Sequence, residues 1–142
     1  NLDLSSDFSI EVVFSYSSTR TNDADVVALY APNGLFDTLY YSIRYGNNGR
    51  LTFTSNNIAR IITDVNTVQP NILHHVVVTK KSNVFSVYHQ GNLLKFAVVP
   101  PVSISNVHVQ LGVRFNGKLD AVAIYSHALT SDEIARHAYL LN

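Results

Sequence analysis

Phe8-Ser9-Ile10-Glu11-Val12-Val13-Phe14-Ser15-Tyr16 decides the fold. Its even positions are apolar or aromatic and its odd positions are largely polar, a period of two that sends one kind of side chain to each face of a half-buried strand. Working outward, similar segments follow at Val26–Ala31, Leu39–Tyr45, Arg50–Ser55, Leu73–Lys80, Val84–His89, Leu93–Val98, Val107–Val113 and Lys118–Tyr125, which makes nine strands. Gly46-Asn47-Asn48-Gly49 and Gln90-Gly91-Asn92 are rich in residues that tolerate positive φ, and each reads as a hairpin turn between antiparallel neighbours. Pro70 and Pro100-Pro101 cannot donate to a ladder, so they mark connections between sheets.

One helix is predicted, and it is terminal. Thr130-Ser131-Asp132-Glu133 reads as a capping box, and Ile134, His137, Ala138 and Leu141 recur at helical spacing behind it. A helix this short is marginal alone and has to dock on a sheet. Short strands, turns between them and no alternating helices argue for a sandwich or barrel over an α/β fold; the chain is expected to be all-β, an antiparallel two-sheet β-sandwich with one short C-terminal helix, as a single domain over residues 1–142.

Composition narrows the function classes. Charged residues make up 14% of the chain, ten basic against ten acidic, so no field of one sign favours nucleic acid or an anionic surface. The longest apolar runs, such as Val76–Val78 and Phe96–Val99, fall far short of the ~20 residues of a membrane helix, so no membrane insertion is expected. Without cysteine there are no disulfides and no thiolate zinc site or nucleophile. The absence of methionine and the start at Asn1 read as a processed product or a domain of a longer chain.

By the C-terminal third the pattern resembles a family. Gly112-Val113-Arg114-Phe115-Asn116-Gly117-Lys118-Leu119-Asp120-Ala121-Val122-Ala123-Ile124-Tyr125, followed by Ala128-Leu129 and the capped helix, is similar to the closing signature of laminin-G-like jelly rolls of the concanavalin A-like lectin/glucanase superfamily. Leu73-His74-His75-Val76-Val77-Val78-Thr79 and Val87-Tyr88-His89-Gln90-Gly91-Asn92-Leu93-Leu94 resemble that family's paired-histidine strand and the hairpin after it. The family often has a tryptophan where Leu73 stands, and charged residues where Ala121 and Ala123 stand. Leu119, Ala121 and Ala123 then make the nominally outward face apolar, to be covered by the helix or a loop, or by a protein contact with another subunit or domain.

The resemblance implies a lectin-like recognition module. Relatives that are glucanases need two carboxylates about 5 Å apart, usually alternating on one strand. Asp120 is followed on its own face by Val122 and Ile124, and Glu11 is flanked by Ser9 and Val13, so neither strand offers the pair and no enzyme activity is expected. His74 and His75 are neighbours on a strand and point to opposite faces, one packed and the other exposed, so they cannot chelate one ion together.

Many proteins of this resemblance bind calcium, which takes oxygen ligands from loops. No cofactor is required by the sequence, and calcium is the ion whose chemistry fits. Asp120 is its first candidate ligand, because parity with Val122 and Ile124 turns it inward, where hydrogen bonds would satisfy it equally well. Asp23 and Asp25 form the other acidic cluster.

A sugar needs an aromatic face for its C–H groups and amides or guanidinium groups for its hydroxyls. Asn33, Phe36, Tyr41, Arg44, Tyr45, Asn47 and Asn48 supply that chemistry around the predicted third strand and its turn. The expectation is a module binding a glycan or cell-surface ligand within a larger extracellular, secreted or virion-surface protein. The alternative is a structural decoration, fibre or coat component acting through protein–protein contacts, the Ala121/Ala123 face among them.

Overall fold

A computed structural model of the chain describes residues 3–17, 23–32, 38–46, 48–104 and 106–141. Ten strands and one helix run in the order β1 (Phe8–Tyr16), β2 (Ala24–Ala31), β3 (Thr38–Tyr45), β4 (Leu51–Ser55), β5 (Ile58–Ile62), β6 (His74–Lys81), β7 (Val84–His89), β8 (Asn92–Val98), β9 (His108–Val113), β10 (Gly117–Tyr125) and α1 (Ser131–Leu140). They form two antiparallel five-stranded sheets, A in the order β10-β1-β6-β7-β8 and B in the order β5-β4-β3-β2-β9. This is the two-sheet antiparallel sandwich expected from the alternation, and the jelly roll that the resemblance implies.

The alternating positions meet between the sheets. Phe8, Ile10, Val12 and Phe14 of β1 join Val76 and Val78 of β6 and Phe85 and Val87 of β7, all buried, against Leu29, Tyr41, Ile43, Tyr45, Leu51 and Phe53 of sheet B. Aromatic rings carry the contact: Phe53 lies 4.9 Å from Phe85, and Tyr16 lies 4.2 Å from Tyr45. Truncating one of these rings to alanine costs about 3–5 kcal/mol in a typical core.

Turns and prolines fall where the sequence placed them. The segment after Tyr45 joins β3 to β4, and Gln90-Gly91 joins β7 to β8. Pro70 lies between β5 of sheet B and β6 of sheet A, and Pro100-Pro101 between β8 of sheet A and β9 of sheet B. The sequence reading missed β5. Asn56 and Asn57 both take positive φ, 52° and 59°, and make the turn into it without a glycine. A register shift between Phe53 and Thr54 breaks the alternation that would have betrayed the strand.

A second irregularity moves a predicted site. Val13 pairs with Ala121 but Phe14 pairs with Leu119, so the ladder shifts by one residue at Asp120. Leu119 therefore packs against the core together with Val122 and Ile124, and Asp120 is exposed rather than inward. The apolar outward face shrinks accordingly, to an exposed Ala121 and a half-buried Ala123. The bulge flips the parity on which both expectations rested.

Helix α1 docks on the outer face of sheet A. Thr130 Oγ1 accepts from the Glu133 amide at 3.2 Å and Glu133 Oε2 accepts from the Thr130 amide at 2.9 Å, the capping box as read. Ile134 and Leu129 pack on Val77, flanked by Tyr88 and Tyr125. Gly91 has φ +84°, and a Cβ there would stand 3.1 Å from the Ala138 Cβ, so only glycine lets the hairpin approach the helix this closely.

Candidate functional site

In an antiparallel sheet, directly paired residues share a face. Tyr41, Ile43 and Tyr45 of β3 point into the core, so Ser42 and Arg44 point out. Register carries that outer face of sheet B across its strands. Asp25 stands opposite Arg44, and Arg44 opposite Thr52; Gln110, Ala28, Ser42 and Thr54 form a second row; Tyr30 pairs with His108.

Arg44 Nε donates to Asp25 Oδ1 at 2.9 Å, with the two side chains 26% and 18% exposed, so the ion pair is half-sheltered yet reachable from solvent. Burial pushes the Asp25 carboxyl above its ordinary value, while Arg44 and Arg114 pull the other way. Ser42 Oγ and Thr54 Oγ1 share a hydrogen bond in the middle of the sheet, but both residues are buried, so the accessible groups are those of the Asp25–Arg44–Thr52 row and the β2–β9 edge. The Tyr30 and His108 rings, 5.8 Å apart, flank the row at one end. Chemically the face offers a carboxylate, a guanidinium, hydroxyls, an amide and two rings, the set that recognises hydroxyl-rich or acidic small molecules.

Of the residues expected to contact a ligand, Arg44 sits on this face. Tyr41 and Tyr45 do not: their rings pack in the core against Phe8, Phe53 and Phe85 and against Phe14, Tyr16 and Phe115 respectively, so they have no free face for a sugar. Strict alternation through Tyr41-Ser42-Ile43-Arg44-Tyr45 already separates them from Arg44. Asn48 is exposed in the turn, where its Oδ1 accepts from the Arg50 amide at 3.3 Å. Asn33, Phe36 and Asn47 lie outside the described residues. Tyr30, Thr52, Thr54, His108 and Gln110 escaped sequence reasoning because register, not spacing, places them beside Arg44.

The acidic candidates for calcium are scattered. Asp120 is exposed at the bulge, Asp25 is engaged by Arg44, and Asp23 is exposed with Oδ1 set against Gly46. Among the described residues no group of three His, Cys, Asp or Glu side chains is arranged to hold a metal ion.

A tighter polar cluster lies under α1. Glu11 Oε2 accepts from His75 Nε2 and from His137 Nδ1, both at 2.8 Å, and Glu11 Oε1 accepts from the Tyr125 hydroxyl at 2.8 Å. Burial alone would raise the Glu11 pKa, but the three donors outweigh it and hold the carboxyl at about 2. The Tyr125 phenol, hydrogen-bonded to that carboxylate, is pushed up to about 12. One carboxylate thus ties β1, β6, β10 and α1 together. A catalytic acid would need the opposite shift.

His74, on the other face of β6, packs between Phe14 and Tyr16 and meets His89 at 3.0 Å. Burial, with His74 and His75 nearby, drives the His89 pKa down to about 4. The paired histidines do face opposite ways, but both are buried; His75 lies under the helix rather than in solvent.

A laminin-G family model, described as the Concanavalin A-like lectin/glucanases superfamily, matches residues 1–135. The chain belongs to this superfamily. No curated protein sequence matches it. Among solved structures it is similar to the CBM40 of Ruminococcus gnavus IT-sialidase bound to α2,3 sialyllactose, at 15% identity and TM-score 0.76, covering 94% of this chain and 83% of that one. It is also similar to Trypanosoma rangeli sialidase in complex with 2,3-difluorosialic acid, at 16% identity and TM-score 0.72, and to leech intramolecular trans-sialidase, at 18% and 0.72. It covers 97% and 93% of this chain in those two matches but 24% and 23% of the sialidases, so the chain spans about a quarter of their length. At these identities the likeness is one of fold.

Proposed function

We propose that this superfamily member is a non-catalytic glycan-recognition module of a larger extracellular or virion-associated protein, and that the outer face of sheet B is its binding surface. The observation that carries the reading is the half-sheltered Asp25–Arg44 pair beside Thr52, with the Tyr30–His108 rings on the same sheet face. A guanidinium beside hydroxyls and a ring suits a sugar that carries a carboxylate. The solved carbohydrate-binding module of matching length, with α2,3 sialyllactose bound, supports that class of ligand. Glu11, the strand carboxylate, supports the non-catalytic part of the reading, since its three donors keep it ionised and occupied.

A glycan array of sialylated and neutral sugars, followed by titration with α2,3-sialyllactose, tests this. Binding should fall about tenfold or more in Arg44→Gln and in His108→Ala, the loss of one charge-assisted or stacking contact. Silence across the array, combined with a multimer in sizing experiments, would overturn the reading in favour of a structural surface role.

A further inference from the structure

Helix α1 covers only half of the outer face of sheet A. Its Ile134, with Leu129 just before the helix, sits over Val77, beside Tyr88 and Tyr125, and His137 reaches Glu11. The other half is open, and it forms a groove of about 980 Å³ floored by Thr79, Ser86 and Tyr88, with Lys81 at one end and the 126–131 segment as a wall. That size lies within the range of about 300–1,000 Å³ typical of small-ligand sites.

Register extends the floor by one residue. Thr79 pairs with Ser86, and Ser86 with Phe96 on the edge strand β8, so Phe96 stands beside the hydroxyls on the same face. Phe96 is 68% exposed on this edge strand, where Leu93 and Val98 on the same face are exposed too, and it sets an aromatic face next to groups that both donate and accept hydrogen bonds. An apolar protein surface laid on this floor would strand Thr79 and Ser86 without partners. A pyranose satisfies both halves at once, its C–H face on the ring and its hydroxyls on the threonine and serine. Asp7, whose Oδ1 accepts from the Ser82 amide at 2.7 Å, and Lys81 line the same groove with opposite charges.

The structure assigns this groove as a second saccharide site, for neutral sugars, on the sheet opposite the Arg44 face and independent of it. The test is amide-resolved NMR titration of the full chain with lactose, cellotriose and chitotriose at millimolar concentration. Shifts should appear at Thr79, Ser86 and Phe96 with at least one of these sugars, persist in Arg44→Gln, and disappear in Phe96→Ala, whose remaining spectrum reports that the fold is intact. Two results would overturn the assignment: no shift at those amides with any of the three sugars, or self-association that Phe96→Ala abolishes, which would make the patch a contact between copies. Failure of the sheet B reading would appear separately, as Arg44→Gln leaving sialyllactose binding unchanged.

Discussion

Replacing Glu11 by glutamine removes the charge on which four elements converge. The carboxyl moves from 4.5 when unfolded to about 2 when folded, a difference worth about 3 kcal/mol at neutral pH. The side chain is 13% exposed, so little of this is lost to solvent screening. Because the folded pKa lies below the unfolded one, the stabilisation is present above pH 4.5 and disappears as pH falls toward 2. Linkage leaves most of it at pH 4.5 and about 1 kcal/mol at pH 3. Glutamine also turns an amide group toward donors, leaving His75, His137 or Tyr125 facing N–H. Urea denaturation of wild type and Glu11→Gln at pH 7, 4.5 and 3 should therefore show a gap near those values that narrows with acid, and amide exchange should speed first in residues 131–140. A variant within about 0.5 kcal/mol of wild type at pH 7, or a gap that stays constant down to pH 3, would refute the argument that this carboxylate holds the helix.

Further expectations concern neighbouring features. His89, depressed from 6.5 to about 4, favours the folded state above pH 6.5 and loses that contribution as pH falls toward 4, about 3 kcal/mol in all; His89→Gln keeps a donor near the Nε2 position and should flatten the stability profile across that window in urea titrations. Gly91→Ala adds a Cβ 3.1 Å from Ala138 at φ +84°, and a loss of about 1–3 kcal/mol by chemical denaturation is expected; an unchanged midpoint would show that the helix shifts freely. Chelator should leave the melting temperature unmoved, since Asp120, Asp25 and Asp23 are not gathered into a cage; a fall restored by added calcium would contradict that placement.

Much of this architecture was legible in the chain because its cues are local. Phe8–Tyr16 and Val84–His89 begin and end as strands where alternation and turn residues say they should, and the Thr130–Glu133 box needs only its own backbone. The errors over Asp120 and β5 share one physical origin. A bulge costs nothing visible in a string of residues, yet it inverts every side chain beyond it: the shift opposite Val13/Phe14 turns Asp120 out and Leu119 in, and the one at Phe53/Thr54 hides β5.

The site is harder to read than the fold for a related reason. Glu11 meets partners 64, 114 and 126 residues away, and Arg44 meets Asp25 only because β2 and β3 pair in one particular register. Spacing within a strand tells which face a residue occupies, whereas the order of strands tells who stands beside it. Recognition surfaces on a sheet are built sideways, across strands, so a tyrosine-rich segment such as Tyr40–Tyr45 drew attention to its own aromatics while the polar partners lay on β2, β4 and β9. The same logic places Phe96: the sheet order puts it on the exposed edge strand β8, and register sets it beside Ser86 on β7, with Thr79 one strand further in.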